Sequence, residues 1–466
     1  MIQYFSILKT IIYFKKGRMM AGIVGIAKPN KTKIISQMLT KINHRGGAWE
    51  EICSFQGTTL GISGTKIQQK DLAIFKNEGL ARDGSLPGRF AQAQTIQEGF
   101  VLKRDPLGAA PLYYGWTRDR DFCFASEVKA LLVVTNDIHE LPPGCTFDGH
   151  HLHTYFNLEV KSPIQDTADT IALELRYRLE TSIEKCIGDG NVGSWLSGGL
   201  DSSVMAAIAR QKVQKLHTFA AGLPGAPDLE FAQQMAYHIN SEHHEVIVNP
   251  QDIFQHLFDV IYHLESFDAL LVRSTLLNFL VAKYASDYVP AVFSGEGGDE
   301  LFAGYEYLKG LKLESLPGEL IDIIGRLHNT ALQRVDRCAS AHGTVPRLGF
   351  LDPSVVDFAL RIPAEYKLNK GIEKWILRYA VKDLLPPQVL NRTKAKFWEG
   401  GGILNILENY ANENVTDSDF SRDRRLANGW QLNTKEELLY YRIFKEQFGT
   451  VYDIPWMGRT KGAPVV

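Results

Sequence analysis

The 466 residues carry 51 basic and 53 acidic side chains for a net charge of −2, and 45% of them are hydrophobic. That is core material for two or three soluble domains, and the near-neutral balance argues against a field of one sign for nucleic acid or an anionic membrane. Five cysteines, Cys53, Cys123, Cys145, Cys186 and Cys338, show no CxxC spacing, which argues against a disulfide framework or a zinc site and fits a reducing cytoplasm.

Residues 1–20 are apolar and basic, but the uncharged run Met1–Leu8 is too short to span a bilayer and no small-residue cleavage site follows it. They read as an extension or a misassigned start, with Met20 as the alternative first residue. From Ala21 to about Phe156 short apolar runs (AGIVGIA, GFVLK, PLYYGW, FCFAS) alternate with Gly, Pro and Asp, the pattern of a β-rich domain of stacked sheets.

From about Asp166 the periodicity becomes helical (TIALELRYRLETSIEKC). Then come a buried-strand run (VGSWL), a helix, the strand KLHTFAAG, the helix LEFAQQMAYHIN, the strand HHEVIVN, the helix TLLNFLVAKYASDY and the strand PAVFS. Alternation of this kind predicts a parallel sheet. The remainder, from about Leu308, reads as mostly helical.

Two loops carry the chemistry. Val192–Ser203 runs from an apolar strand through Gly198 and Gly199 into a helix, so pyrophosphate oxygens would meet a helix N-terminus, where unsatisfied N–H groups and the positive dipole end favour an anion. Asp201 does not suit an anion cradle unless a cation stands between, most simply Mg2+. The plain alternative is a Gly-Gly turn capped by serine. Ser294–Tyr305 (SGEGGDELFAGY) follows the last apolar strand. Loops at the carboxyl ends of parallel strands share one edge, which would bring Asp299 to Asp201 and let glycines 295, 297 and 298 approach a ligand closely. The two like charges would repel without a metal. Adenine recognition falls to Leu196 and Thr218–Gly222, although Ala220 and Ala221 read equally well as core.

SGGLDSS at 197–203, SGEGGDELFAGY at 294–305, RVDRCASAHGTVPRLGFLD at 334–352 and KWILRYAVKDLLPPQVLNRTKAKF at 374–397 together resemble the asparagine synthetase family. AGIVGI, INHRG, LKRDPLGAAPLYY and FASEVKALL resemble its amino-terminal glutaminase domain. The resemblance implies an α/β protein of two domains. One is a degenerate glutamine-amidotransferase-like, Ntn-hydrolase-like domain of stacked β-sheets over 21–160; the other is a doubly wound parallel α/β domain of the pyrophosphatase (PP-loop) type over 166–466.

It also implies a two-step synthetase, in which a carboxylate attacks the α-phosphate of ATP, pyrophosphate leaves and an amine displaces AMP. The ATP-binding positions would be Leu196, Ser197, Gly198, Gly199, Leu200, Asp201, Ser202, Ser203, Ala221, Ser294 and Gly295, with Mg2+ on Asp201 and Asp299. Lys394 stands where the family keeps its catalytic lysine, a mobile point charge suited to a phosphoryl group, with Arg392 and Lys396 in the same patch. Glu296 stands where related β-lactam synthetases carry a tyrosine, and could deprotonate ammonia or hold the intermediate. Arg273, in a stretch that resembles the family, could pair with a substrate carboxylate, as Asp299 also could contact substrate. A surface salt bridge is the alternative for Arg273.

Two departures stand out. Ala21 replaces the amino-terminal cysteine nucleophile, so no thioester can form. The interval from His44 to Arg104 also lacks an Asn-Gly-Glu stretch, for which Asn77–Gly79 has the wrong order. Val345 stands where the family commonly has glutamate and Gly349 where it has proline, while Arg347 and Asp352 are kept. The reading that results is an amide-forming ligase without its own glutaminase. Its leading case joins aspartate to ammonia, free or from a separate protein, in a cytoplasmic enzyme; the resemblance adds a homodimer, since family members often pair. A dedicated amide ligase or cyclase of specialised metabolism and a non-catalytic ATP-binding partner are the alternatives.

Overall fold

The computed structural model describes residues 21–65, 69–86, 88–97, 99–188, 190–393, 401–449 and 454–461. Two antiparallel sheets form first. One has six strands in the order β2-β3-β1-β8-β7-β9, built from β1 (Ala21–Ile26), β2 (Trp49–Phe55), β3 (Thr58–Gly64), β7 (Tyr113–Trp116), β8 (Phe122–Ala125) and β9 (Ile138–Glu140). The other runs β11-β10-β6-β5-β4, built from β4 (Leu80–Leu86), β5 (Arg89–Ile96), β6 (Gly99–Arg104), β10 (Cys145–Phe147) and β11 (Leu152–Thr154). Side chains alternate along a strand, and β1 uses both faces. Ala21 and Ile23 join the core between the sheets with Leu60, Phe100 and Phe124. Val24 and Ile26 join the larger core that continues into the carboxyl-terminal half.

After the helix Ala168–Ile187, capped by the Thr167 hydroxyl, comes a five-stranded parallel sheet in the order β14-β13-β12-β15-β16. Its strands are β12 (Gly193–Trp195), β13 (His217–Gly222), β14 (Glu242–Ile247), β15 (Ala291–Phe293) and β16 (Val345–Arg347). The expected alternation is present, and helices cover both faces. Gly222 meets Ala226 and Leu229 at the start of the helix Pro227–Ile239. Phe219, odd-numbered and so on the other face, packs on Tyr284 of the helix Ala269–Ser286.

Three strands escape the sequence reading: Leu368–Asn369 and Ile372–Glu373, which pair as a short antiparallel sheet, and one strand of the parallel sheet. Val345–Arg347 lies within the stretch expected to be helical, yet it pairs in parallel with β15. It contains Pro346, which an edge strand tolerates because one side of its backbone is unpaired. Gly349 explains the missing proline nearby, since a Cβ there would come within 2.7 Å of Met205 Sδ and 3.1 Å of Ile183 Cγ1. Asp352 caps the helix Pro353–Leu360 through the Ser354 N–H at 2.9 Å. Asn77–Gly79 is only a helix end: Gly79, at φ +65°, closes the helix Gln69–Glu78. Among the described residues no helix is long and apolar enough to cross a membrane.

Candidate active site

The chain runs from β12 to β13 and β14 on one side, then returns to place β15 on the other flank of β12. Strand order therefore reverses at the β12–β15 pair, and a crevice opens there at the carboxyl ends. A cavity of about 690 Å3 occupies it.

The turn after β12 is shaped by its glycines and serines. Gly198 sits at φ +68°, and a Cβ would come within 2.4 Å of Phe231 Cβ and 2.6 Å of the Ala232 nitrogen, so only glycine fits. Ser202 Oγ accepts from the Ser197 N–H at 3.2 Å and donates to the Gly199 carbonyl at 3.1 Å, tying the turn to the helix Leu200–Lys212. Arg392 braces it from outside, donating to the Ser197 carbonyl at 3.1 Å and to Asp228 at 2.5 Å.

The second loop packs against this turn, backbone to backbone. A Cβ on Gly295 would lie 2.8 Å from the Ser202 nitrogen, and one on Gly298 would lie 2.5 Å from the Asp201 carboxyl carbon. Asp201 and Asp299 are thus brought together, and Lys374 lies between them, its Nζ 2.5 Å from Asp201 Oδ2 and 2.6 Å from Asp299 Oδ1. Lys374 thus sets a positive charge between the two carboxylates. Lys374 is 3% exposed, and Gly304 makes room for it, since a Cβ there would come within 2.1 Å of Lys374 Cε.

Behind the pair lie Glu300, fully buried and hydrogen-bonded by Tyr305, and Glu296, ion-paired with Arg334. Burial, reinforced by the charges of Asp299 and Glu296, pushes Glu300 up to about 7. A carboxyl with a raised folded pKa contributes stability in its protonated form. That contribution is lost as pH rises from the unfolded value of about 4.3 toward about 7. Glu300→Gln is expected to remove this loss, so urea midpoints at about pH 5 and about pH 8 should move apart less in the variant than in the parent chain. Equal separation in both would refute the shift.

Of the expected positions, Leu196, Ser197, Gly199, Leu200, Asp201, Ser202, Ala221, Ser294, Gly295, Glu296 and Asp299 line the cavity. Three call for correction or a different placement. Gly198 is turned toward Phe231 and Ser203 is wholly buried in the helix, so neither lines the cavity. Arg273 also lies outside it: its guanidinium is buried against Glu436, with Nε 2.9 Å from the carboxylate, and reaches Glu408 at 3.2 Å. That salt bridge, not a substrate carboxylate, is its partner. Lys394 and Lys396 lie outside the described residues. Missed from sequence were Lys374, Glu300, Tyr305 and Arg334, all lining the cavity. All four sit inside motif stretches already noted, so only their roles went unseen.

The asparagine synthase family profile matches residues 174–323 and 314–454. Asparagine synthetase B (glutamine-hydrolyzing) of Escherichia coli K12 is 33% identical over 409 residues, covering 81% of this chain and 73% of that protein. Asparagine synthetase (glutamine-hydrolyzing) 2 of Arabidopsis thaliana is 34% identical over 402 residues, 80% and 70% respectively. The chain belongs to the asparagine synthetase family. As such it is a carbon–nitrogen ligase that uses ATP and small-molecule substrates. Among solved structures, an NMN synthetase from Francisella tularensis is 14% identical with a TM-score of 0.28, covering 61% of this chain and 97% of that one.

A glutamine amidotransferase domain profile matches residues 71–133. In this asparagine synthetase relative, Ala21 is fully buried on β1. Its N–H donates to Asp83 at 3.2 Å and its carbonyl accepts from Arg45 Nε at 3.2 Å. Arg45 reaches Asp83, Glu127 and Asp336, each at 2.8 Å. Asp336 also accepts from Arg89 at 2.6 Å, and Glu265 accepts from Arg337 and Lys129, each at 2.9 Å. Asp336 thus meets Arg45 and Arg89, and Arg337 shares Glu265 with Lys129, in one buried network.

Proposed function

We propose that the chain activates a carboxylate as its adenylate and joins it to ammonia or an amine, without hydrolysing glutamine. The observation that carries this is the convergence of the Ser197 turn, Asp201, Asp299 and Lys374 at the strand-order reversal. Asp201 and Asp299 suit a Mg2+, which prefers hard carboxylate and phosphate oxygens, and they would hold it beside the turn. Bound there, it would offset negative charge on the departing pyrophosphate.

The chain's own part follows from its geometry. N–H groups at the start of the Leu200–Lys212 helix face the phosphates, and Lys374 supplies a buried positive charge that strengthens where solvent is excluded. Leu196, Ala220 and Ala221 frame the base. Glu296, held by Arg334, would accept a proton from the incoming amine, and the family's lysine position, Lys394, would neutralise the moving phosphoryl group.

Aspartate with ammonia is the leading pair. The cavity wall formed by Leu270, Leu271, Val281, Ile323 and Leu327 favours a second reading, a carboxylate or amine with a larger apolar part. The cysteines are free, as a cytoplasmic setting keeps them; a homodimer and a separate ammonia supplier complete the proposal.

Pyrophosphate, AMP and amide are measured with ATP, Mg2+ and aspartate, adding ammonium or glutamine. Asparagine is expected with ammonium and none with glutamine. Glutamine-driven synthesis would overturn the loss of the nucleophile, and turnover only with other carboxylates or amines would replace aspartate by the second reading.

A further inference from the structure

A second constellation lies at the amino-terminal end of the parallel strands, the edge opposite the Ser197 turn. In the register of β13 with β14, His217 stands beside Glu242 and Phe219 beside His244. Alternation puts residues 217, 219, 242 and 244 on one face. His217 Nδ1 and His244 Nε2 are 2.9 Å apart, and Glu242 Oε2 is 3.7 Å from the same His217 nitrogen. All three donor atoms fall within 4.8 Å of one another. We propose that His217, Glu242 and His244 form a binding site for a Zn2+-class divalent metal that clamps the edge strand β14 to β13.

The distances suit such an ion. Bonds of about 2.0–2.1 Å in tetrahedral geometry hold donor atoms roughly 3.4 Å apart, between the two separations observed. Without metal, the imidazole nitrogens face each other and must share one proton, a contact that a metal replaces with two bonds.

The rings are already oriented. His244 stacks on Phe219 at 4.9 Å and leans on Tyr288 at 4.3 Å, while His217 stacks on His244 at 5.2 Å. Partial burial, aided by Lys215 at His217 and by His217 at His244, lowers both imidazoles from the ordinary value, leaving neutral rings with lone pairs to give. The competitor is Lys215, 2.7 Å from Glu242; binding exchanges its ammonium for the metal. Two imidazoles and one carboxylate leave a fourth position for water. His243 points to the opposite face, where its Nδ1 meets Thr218 Oγ1 at 3.0 Å. The location predicts a structural role, separate from ligase chemistry at the carboxyl edge.

Exposed His150, His151 and His153 form another histidine group, so the test uses the full chain with these three changed to Asn, and with excess Mg2+ to fill the carboxylate pair. Zn2+ is titrated calorimetrically, Co2+ by its visible absorption, and melting is followed with and without Zn2+. The expected result is one saturable equivalent, a Co2+ spectrum of four-coordinate intensity and a raised melting temperature. His217→Asn and His244→Asn are each expected to weaken Zn2+ by at least the roughly tenfold that loss of even a supporting residue costs a metal site, and Glu242→Gln to weaken it in a chain that keeps both rings. Absence of saturable binding in the parent chain, or unchanged affinity in folded His217→Asn, His244→Asn or Glu242→Gln, would overturn the proposal.

Discussion

Lys374→Ala is expected to lower the rate of pyrophosphate release by about 10²- to 10³-fold at saturating ATP, equivalent to about 3–4 kcal/mol of transition-state stabilisation. The argument is electrostatic. A charge that is 3% exposed and in contact with two carboxylates acts in a low-dielectric pocket, where its field is little screened. Its removal also leaves Asp201 and Asp299 facing each other, so the variant's melting temperature should fall and should recover on adding Mg2+ more than the parent's does. Lys374→Arg should not rescue the rate, because a planar fork cannot replace a compact ammonium in that space. A loss under about fivefold, below the range for one such donor, would reduce Lys374 to charge pairing alone.

Arg45→Ala is expected to destabilise the fold by about 3–5 kcal/mol, the usual result of removing one partner from a buried ion pair. Three carboxylates, Asp83, Glu127 and Asp336, lose their shared guanidinium in a place where all four side chains are buried. Since whole domains are stable by only about 5–15 kcal/mol, the change should be plain in guanidinium denaturation. Asp336→Leu combined with Arg45→Met should cost less than Arg45→Ala, because apolar replacement leaves fewer orphaned charges. Arg45, Arg89 and Arg337 hold Asp336 well below the usual carboxylate range. Its contribution is therefore complete above about pH 4 and is lost as pH falls through the lowered folded value. Stability of Arg45→Ala within about 1 kcal/mol of the parent, the size of an exposed pair, would show that the network is not load-sharing.

The parts of this architecture set by local chemistry were legible in the sequence. Glycines at 198 and 295 mark places where backbone meets backbone and Gly298 one where backbone meets the Asp201 carboxyl, and the alternation of runs around them fixes which strand ends share an edge. The parts set by distant pairing were not. Arg273 reads the same on a helix whether it awaits a substrate or meets Glu436, 163 residues away. Lys374 has left-handed backbone, φ 55°, and reaches Asp201 across 173 residues, which no periodicity encodes. Val345–Arg347 is short and carries a proline, so its strand character comes wholly from its neighbour. Glu300 looked like one more acid in a glycine-rich loop; its raised pKa arises only from enclosure.

The Ala21 surroundings bear on evolutionary reversibility. Once a nucleophile is gone, selection no longer keeps a path open for its substrate, and neighbouring side chains are free to take up other duties. Here Arg45, Asp83 and Asp336 cross-brace the space beside Ala21, and residue 21 has no exposed surface. A cysteine placed at 21 would be sealed from glutamine and water, and clearing a route to it would require dismantling buried ion pairs. On the proposed reading that glutamine hydrolysis is absent, the substitution would work as a ratchet: the activity would need several coordinated changes to return, each passing through a less stable protein.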